Sequence, residues 1–315
     1  MTGLELVDPE LRPLLAAWPT IALDDATLAD LRARDLPLPP AGDGGVDMTK
    51  RQVPGPTGAP DIGLSIYRPR AATGTLGCIY HIHGGGYVGG SAGALESVHR
   101  PLAAALGCVI VSVDYRLAPE TRFPGAIEDC HAGLAWTVAH AGELGIDIAR
   151  LGVMGESAGG GLAASLALMV RDRGEIALAF QHLTYPMIDD RTCTAPPHPH
   201  AGAFIWTPHN NRFGWSALLG HEPGGEGVSP YAAAARADDL TGLPPTFIMT
   251  GTLDLFVDED IDYARRLIAA GVPTELHVHP GAFHGFDILP GPAVANRAQA
   301  ARIDALTRAL SGAPS

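Results

Sequence analysis

Lysine is almost missing from this chain. Lys50, in GDGGVDMTKRQ, is the only one in 315 residues, and the other 20 of its 21 basic Lys and Arg side chains are arginine. Schiff-base chemistry, a Ser-Lys dyad and a Walker-type phosphate loop each need a lysine inside a motif, and Lys50 lies in none. Cysteine is also scarce: Cys78, Cys108, Cys130 and Cys193 show no CxxC spacing. Cys78 and Cys108 sit in apolar, strand-like runs and read as buried free thiols. No run of about 18 apolar residues exists, so no membrane span is expected. The stretch MTGLELVDPELRP is acidic where a signal peptide would be basic and lacks a continuous apolar core, which gives a cytoplasmic expectation. Positive charge is in deficit: the net charge is −13, so nucleic acid and anionic membrane surfaces would be repelled. His198, His200 and His209 lie in a proline-crowded stretch without paired ligand spacing on a helix, so no metal site is read there.

What is present is an alternation of short apolar runs with helical stretches. LSIYRP (64–69), LGCIYHIH (76–83), CVIVSVDY (108–115), LGVMG (151–155), HLTYP (182–186), TFIMTG (246–251) and TELHVH (274–279) read as strands. Helical patterns fall near 94–105, 125–142, 158–172, 258–270 and 293–310, with a short amphipathic one over 23–33. The last long one sets Ile303, Leu306 and Leu310 in a stripe suited to packing on a sheet. Residues 36–62, rich in Pro and Gly, read as a connector. The expected fold class is α/β: one domain over 1–315, with a mostly parallel sheet covered by helices on both faces. Residues 190–230 break the alternation. A small helical cap is therefore expected from about residues 1–45 and an insert at about 190–225. In such sheets ligands bind beyond the carboxyl ends of the strands.

The pattern G-x-S-x-G occurs twice, around Ser91 and around Ser157. Ser157 follows the strand LGVMG and opens the helix AGGGLAASLALMV, a sharp turn that lifts a hydroxyl above the sheet. Free N–H groups at the helix start point to the same place. Ser91 lacks that context and reads as a helix N-cap. A serine hydroxyl needs a base, and in this fold an acid and then a histidine follow the serine. Asp254, after TFIMTG, and His284, in HPGAFHGF, have that order. Asp258 suits the first turn of the next helix, and His277 and His279 lie within a strand. The glycines after His83 let backbone N–H groups approach a ligand, so Gly84, Gly85 and Ala158 are the oxyanion candidates. Tyr87, Tyr185, Phe204 and Trp206 are candidate walls of a small apolar site, with core or cap packing as the alternative for each.

A rival reading stands beside this one. Gly84, Gly86 and Gly89 satisfy G-x-G-x-x-G, and Asp114 follows at the end of the next strand, as a dinucleotide-binding oxidoreductase would require. That reading leaves Ser157, Asp254 and His284 without a role and gives Asp114 one that a turn and an ion pair with Arg116 also explain. A non-catalytic small-ligand receptor on the same scaffold, and a peptidase, are further alternatives.

Taken together, HGGG (83–86), DYRLAPE (114–120), GESAG (155–159) and HGF (284–286), with YPMIDD (185–190) and GLPPTFIMTGTLD (242–254), resemble the bacterial hormone-sensitive-lipase-like esterases of the α/β-hydrolases. The resemblance covers roughly residues 60–290. It implies a carboxylesterase with Ser157 as nucleophile, His284 as base and Asp254 as acid, an oxyanion hole from Gly84, Gly85 and Ala158, and neither metal nor organic cofactor. It also implies a small-molecule ester substrate with a short acyl chain, a cap over the pocket, and a homodimer paired through an edge strand. Two positions depart from the family: Leu255 follows Asp254 where proline is usual, and Glu156 stands where Asp or Thr is commoner.

Overall fold

The computed structural model describes residues 3–312 apart from 35–37 and 39; the parts of the expected cap, connector and domain that fall on the remaining positions lie outside the described residues. Eight strands form one sheet: β1 (Val46–Val53), β2 (Ile62–Pro69), β3 (Leu76–Ile82), β4 (Val109–Asp114), β5 (Ile146–Glu156), β6 (Gln181–Thr184), β7 (Thr246–Gly251) and β8 (Thr274–His279). Their order is β1-β2-β4-β3-β5-β6-β7-β8. β2 is antiparallel to both its neighbours, and every pairing from β4 to β8 is parallel. The described helices are α1 (Arg12–Ala17), α2 (Leu28–Ala33), α3 (Glu96–Leu106), α4 (Gly125–Ala139), α5 (Ala141–Leu144), α6 (Ala158–Arg173), α7 (Pro208–Leu219), α8 (Val257–Ala269) and α9 (Ala293–Ser311).

The central strands are buried on both faces and mostly apolar, with His81, Ser112 and the Gln181, His182 and Thr184 of β6 as buried polar exceptions. Tyr80 and Ile82 of β3 and Val111 and Val113 of β4 pack with residues of α4, α6 and α8, whereas Ile79 and Ile110, one position out of phase, meet α3 and α9. α6 is buried along nearly its whole length, so its sequence carries no amphipathic stripe.

Several expectations change. Residues 46–53 of the expected connector are strand β1, at the sheet edge; VDMTKRQV buries only its end residues Val46 and Val53, so it lacks an apolar run. The helix expected over 23–33 shortens to α2, because Asp24 and Thr27 close a turn on one another before it. Ile303 is 40% exposed: the buried arc of α9 runs through Val294, Ala298, Arg302, Leu306 and Leu310 and leaves it at the edge. Ser91 precedes a short 3-10 turn (Ala92–Leu95) but makes no side-chain cap; Asp114 Oδ1 accepts from Ala92 N instead, at 2.6 Å. Asp114 therefore does not pair with Arg116, whose guanidinium grips buried Asp129 at 2.7 Å. Cys78 and Cys108 are buried free thiols, as expected. No described helix is long and apolar enough to cross a membrane.

The insert after β6 includes α7 and is tied to the N-terminal segment. Asn210 accepts from Leu23 N (2.9 Å) and donates to the Ile21 carbonyl (2.8 Å), His209 Nε2 donates to the Leu23 carbonyl (2.8 Å), and Ile205 N donates to Thr20 Oγ1 (3.0 Å).

Candidate active site

Four chain segments meet beyond the carboxyl ends of β3, β5, β7 and β8. β5 ends in Glu156, and Ser157 then turns with φ 56° and ψ −124° into α6. A non-glycine residue there is strained. The strain is held because Ser157 N donates to the Thr184 carbonyl (2.9 Å) and its own carbonyl accepts from Met187 N (2.9 Å) and Gly161 N (3.0 Å). Small residues make the turn possible: a Cβ on Gly155 or Gly159 would lie 2.2 Å from the Gly159 carbonyl oxygen or 2.1 Å from the Ile82 carbonyl oxygen, respectively.

His284 bridges the other two sequence candidates. Its Nε2 lies 2.8 Å from Ser157 Oγ and its Nδ1 2.8 Å from Asp254 Oδ2. Asp254 is fully buried, and its Oδ1 accepts from Phe256 N at 3.0 Å. This turn holds without the family's proline; Leu255 instead sends its side chain against Gly202 of the insert, where an added Cβ would come within 2.7 Å. Asp258 lies in the first turn of α8. Tyr185 and Phe256 pack against the imidazole in tilted and edge-on contacts, at ring distances of 4.6 and 5.3 Å. An acceptor carboxylate on Nδ1 fixes the tautomer that leaves Nε2 free to take the serine proton.

The glycine loop lies against this turn. A Cβ on Gly84 would sit 2.8 Å from the Glu156 carbonyl oxygen and 3.4 Å from Ser157 Cβ, and Gly85 has φ 120°. The N–H groups of Gly84, Gly85 and Ala158 donate to no other group among the described residues. His83 anchors the loop: its Nδ1 donates to the Gly84 carbonyl (2.8 Å) while its ring stacks on Tyr115 at 4.2 Å. Burial pulls the His83 imidazole down to about 4, so it stays neutral. Arg32 of α2 reaches over the loop to the Val88 carbonyl (2.8 Å) and to Glu120 (2.7 Å).

The aromatic candidates separate. Tyr87 lies in the core, 1% exposed, with its hydroxyl donating to the Met187 carbonyl at 2.8 Å. Tyr185 is against His284, its hydroxyl donating to Asp287 at 2.8 Å. Trp206 stands 6.4 Å from the His284 ring and fills the space over Gly86, and Phe204 meets Phe283 at 6.0 Å. His198 Nδ1 accepts from Ala201 N at 2.8 Å, and no group of His, Cys, Asp and Glu suited to a metal occurs among the described residues.

Sequence reasoning marked Glu156 only as a departure from the family's pattern and gave it no role. It is largely buried: Oε2 is 2.8 Å from His81 Nε2 and Oε1 is 3.0 Å from Arg302 Nη2. Its partners are 75 and 146 residues away, and no local signal points to them.

A family model described as alpha/beta hydrolase fold matches residues 79–288. Carboxylesterase NlhH of Mycobacterium tuberculosis is 36% identical over 287 residues, covering 89% of this chain and 88% of that protein. Esterase LipI of the same species is 34% identical over 288 residues, with 89% and 88% covered. Among solved structures, Bacterial Heroin Esterase superposes with a TM-score of 0.90 at 39% identity, covering 98% of this chain and 99% of that one.

Proposed function

This chain belongs to the α/β-hydrolase fold family, on its hormone-sensitive-lipase-like branch, and from that membership we propose that it is a serine carboxylesterase acting on short-chain acyl esters of small molecules. The observation that carries the reading is the His284 imidazole, 2.8 Å from Ser157 Oγ on one side and from Asp254 on the other. His284 takes the Ser157 proton as Oγ attacks the ester carbonyl. Asp254 holds the ring and stabilises the imidazolium. The oxyanion settles against the N–H groups of Gly84, Gly85 and Ala158; one such donor contributes on the order of 10²–10³ in rate. His284 then protonates the departing alcohol, and water repeats the cycle on the acyl-enzyme. The base works only when neutral, so kcat/KM falls toward acidic pH.

The N-terminal segment and the insert, bonded to each other through Asn210 and Thr20, form the cap in this reading. Trp206, Phe204 and Tyr185 crowd the space beside the triad, which favours small acyl groups. The edge strand β8, which among the described strands pairs with β7 alone, is the surface for pairing two copies.

Fluorophosphonate labelling and a panel of p-nitrophenyl esters of rising acyl length test the proposal. Wild-type protein is expected to label covalently and to prefer the shortest esters, and Ser157→Ala to lose labelling and about 10⁴-fold or more of kcat. An unlabelled wild type with no turnover on any ester would overturn it in favour of a ligand receptor.

A further inference from the structure

The hydrogen-bond ladder between β3 and β5 stops at Ile82 and Gly155. Past that point the two chains diverge into the glycine loop and the serine turn, which together supply the oxyanion donors. Their separation is set on one side by backbone contact, Gly84 against the Glu156 carbonyl. On the other side the side chains of the two strand ends are joined. Arg302 Nη2 of α9 donates to Glu156 Oε1 at 3.0 Å; His81 Nε2 donates to Glu156 Oε2 at 2.8 Å; His81 Nδ1 meets Ser112 Oγ of β4 at 2.8 Å. The row crosses three adjacent strands and one helix. Its members are all sheltered: the side chains of His81, Arg302 and Glu156 are 0%, 9% and 16% exposed. Burial alone would raise the Glu156 carboxyl, but the neighbouring His81 and Arg302 outweigh it and hold the group well below the usual carboxylate range.

We propose that Glu156 is a positioning residue for the ester hydrolysis: through His81 and Arg302 it fixes the distance between the serine turn and the glycine loop. A charge-assisted bond between strand ends is suited to this work, because oxyanion donors act only when held near their productive positions, and a misplacement of about 1 Å costs on the order of 10²-fold. Glu156 touches neither Ser157 Oγ nor the oxyanion donors through its side chain; it acts through the two segments it braces. The inference rests on the assignment of Ser157 as nucleophile.

The test compares Glu156→Gln, His81→Gln, the double variant carrying both, and Glu156→Asp with wild type on p-nitrophenyl acetate. Active sites are counted by fluorophosphonate, and Tm is recorded alongside. Glu156→Gln keeps the shape but loses the charge, and is expected to lower kcat per titrated site roughly tenfold with KM nearly unchanged. His81→Gln is expected to do the same, the double variant to be little worse than either single, and Glu156→Asp to lie between. If Glu156→Gln does not fold, His81→Gln, which leaves the carboxylate paired with Arg302, decides the question. Should both variants keep wild-type kcat per site while Tm falls, or lose only KM, the network is structural and the proposal fails. A wild type that does not label would instead sink the nucleophile assignment and leave the brace without a reaction to serve.

Discussion

Ser157 shows how much local strain the site tolerates: a φ of 56° costs of order 1–3 kcal/mol in a non-glycine residue, and it persists because both backbone polar groups of the serine are bonded in place. A second residue under tension lies close to Asp254. Asp260 is fully buried in α8 and neither of its carboxyl oxygens has a well-formed hydrogen bond. Burial first, and then the charges of Glu259 and Asp254, push its carboxyl well above the usual range against an opposing pull from Thr250. A carboxyl raised on folding contributes its stability fully below the unfolded value of about 3.9 and loses it as pH climbs through the folded value. Asp260→Asn keeps the shape without the titration. Its Tm should exceed wild type most at pH about 8, with the gain shrinking toward pH about 4; a Tm difference that does not vary with pH, measured by calorimetry, would count against this account.

At the scale of elements, α6 is the piece whose composition is dictated by closeness. A Cβ on Gly161 would come 2.0 Å from the Met187 carbonyl oxygen and 2.7 Å from the Tyr87 hydroxyl. Gly161→Ala is therefore expected to destabilise the protein by about 1–3 kcal/mol through overpacking. Urea unfolding checks it: the midpoint should fall with the slope unchanged. The same scale shows what could be read in advance. The parallel strands β3, β4, β5 and β7 were legible because burial on two faces leaves largely apolar runs, and the order serine, acid, histidine was legible because each follows an expected strand. β1 was not, since an edge strand with exposed side chains carries no periodic apolar signal. Ile303 misled because three apolar residues at helical spacing fit two overlapping arcs of α9, and only the sheet decides between them. Glu156 was undecidable because its meaning lies in His81 and Arg302, which topology alone brings beside it.

Over the whole molecule, the sheet order places Ser157, Asp254 and His284, which follow β5, β7 and β8, on one half and the antiparallel β1 and β2 on the other. β1 closes the sheet at the edge opposite β8, four positions from β5. At 4.7–4.9 Å per step that is roughly 19 Å across the sheet. The net charge of −13 is carried with one lysine among 21 Lys and Arg side chains, and Arg32, Arg116, Arg191 and Arg236 each grip both oxygens of one carboxylate, a fork that lysine could not supply.

The lone lysine sits on that far strand, exposed, paired in register with Ser65. Apart from an α-amino group, an amine-selective acylating reagent or an aldehyde-coated support finds one side-chain amine to attack, and it is remote from the Ser157 hydroxyl. Amine-selective acetylation should add a single side-chain group by mass spectrometry and leave turnover unchanged. Coupling to a surface through this nitrogen would present every molecule in the same orientation, an immobilised catalyst whose uniformity is written into its amino-acid usage.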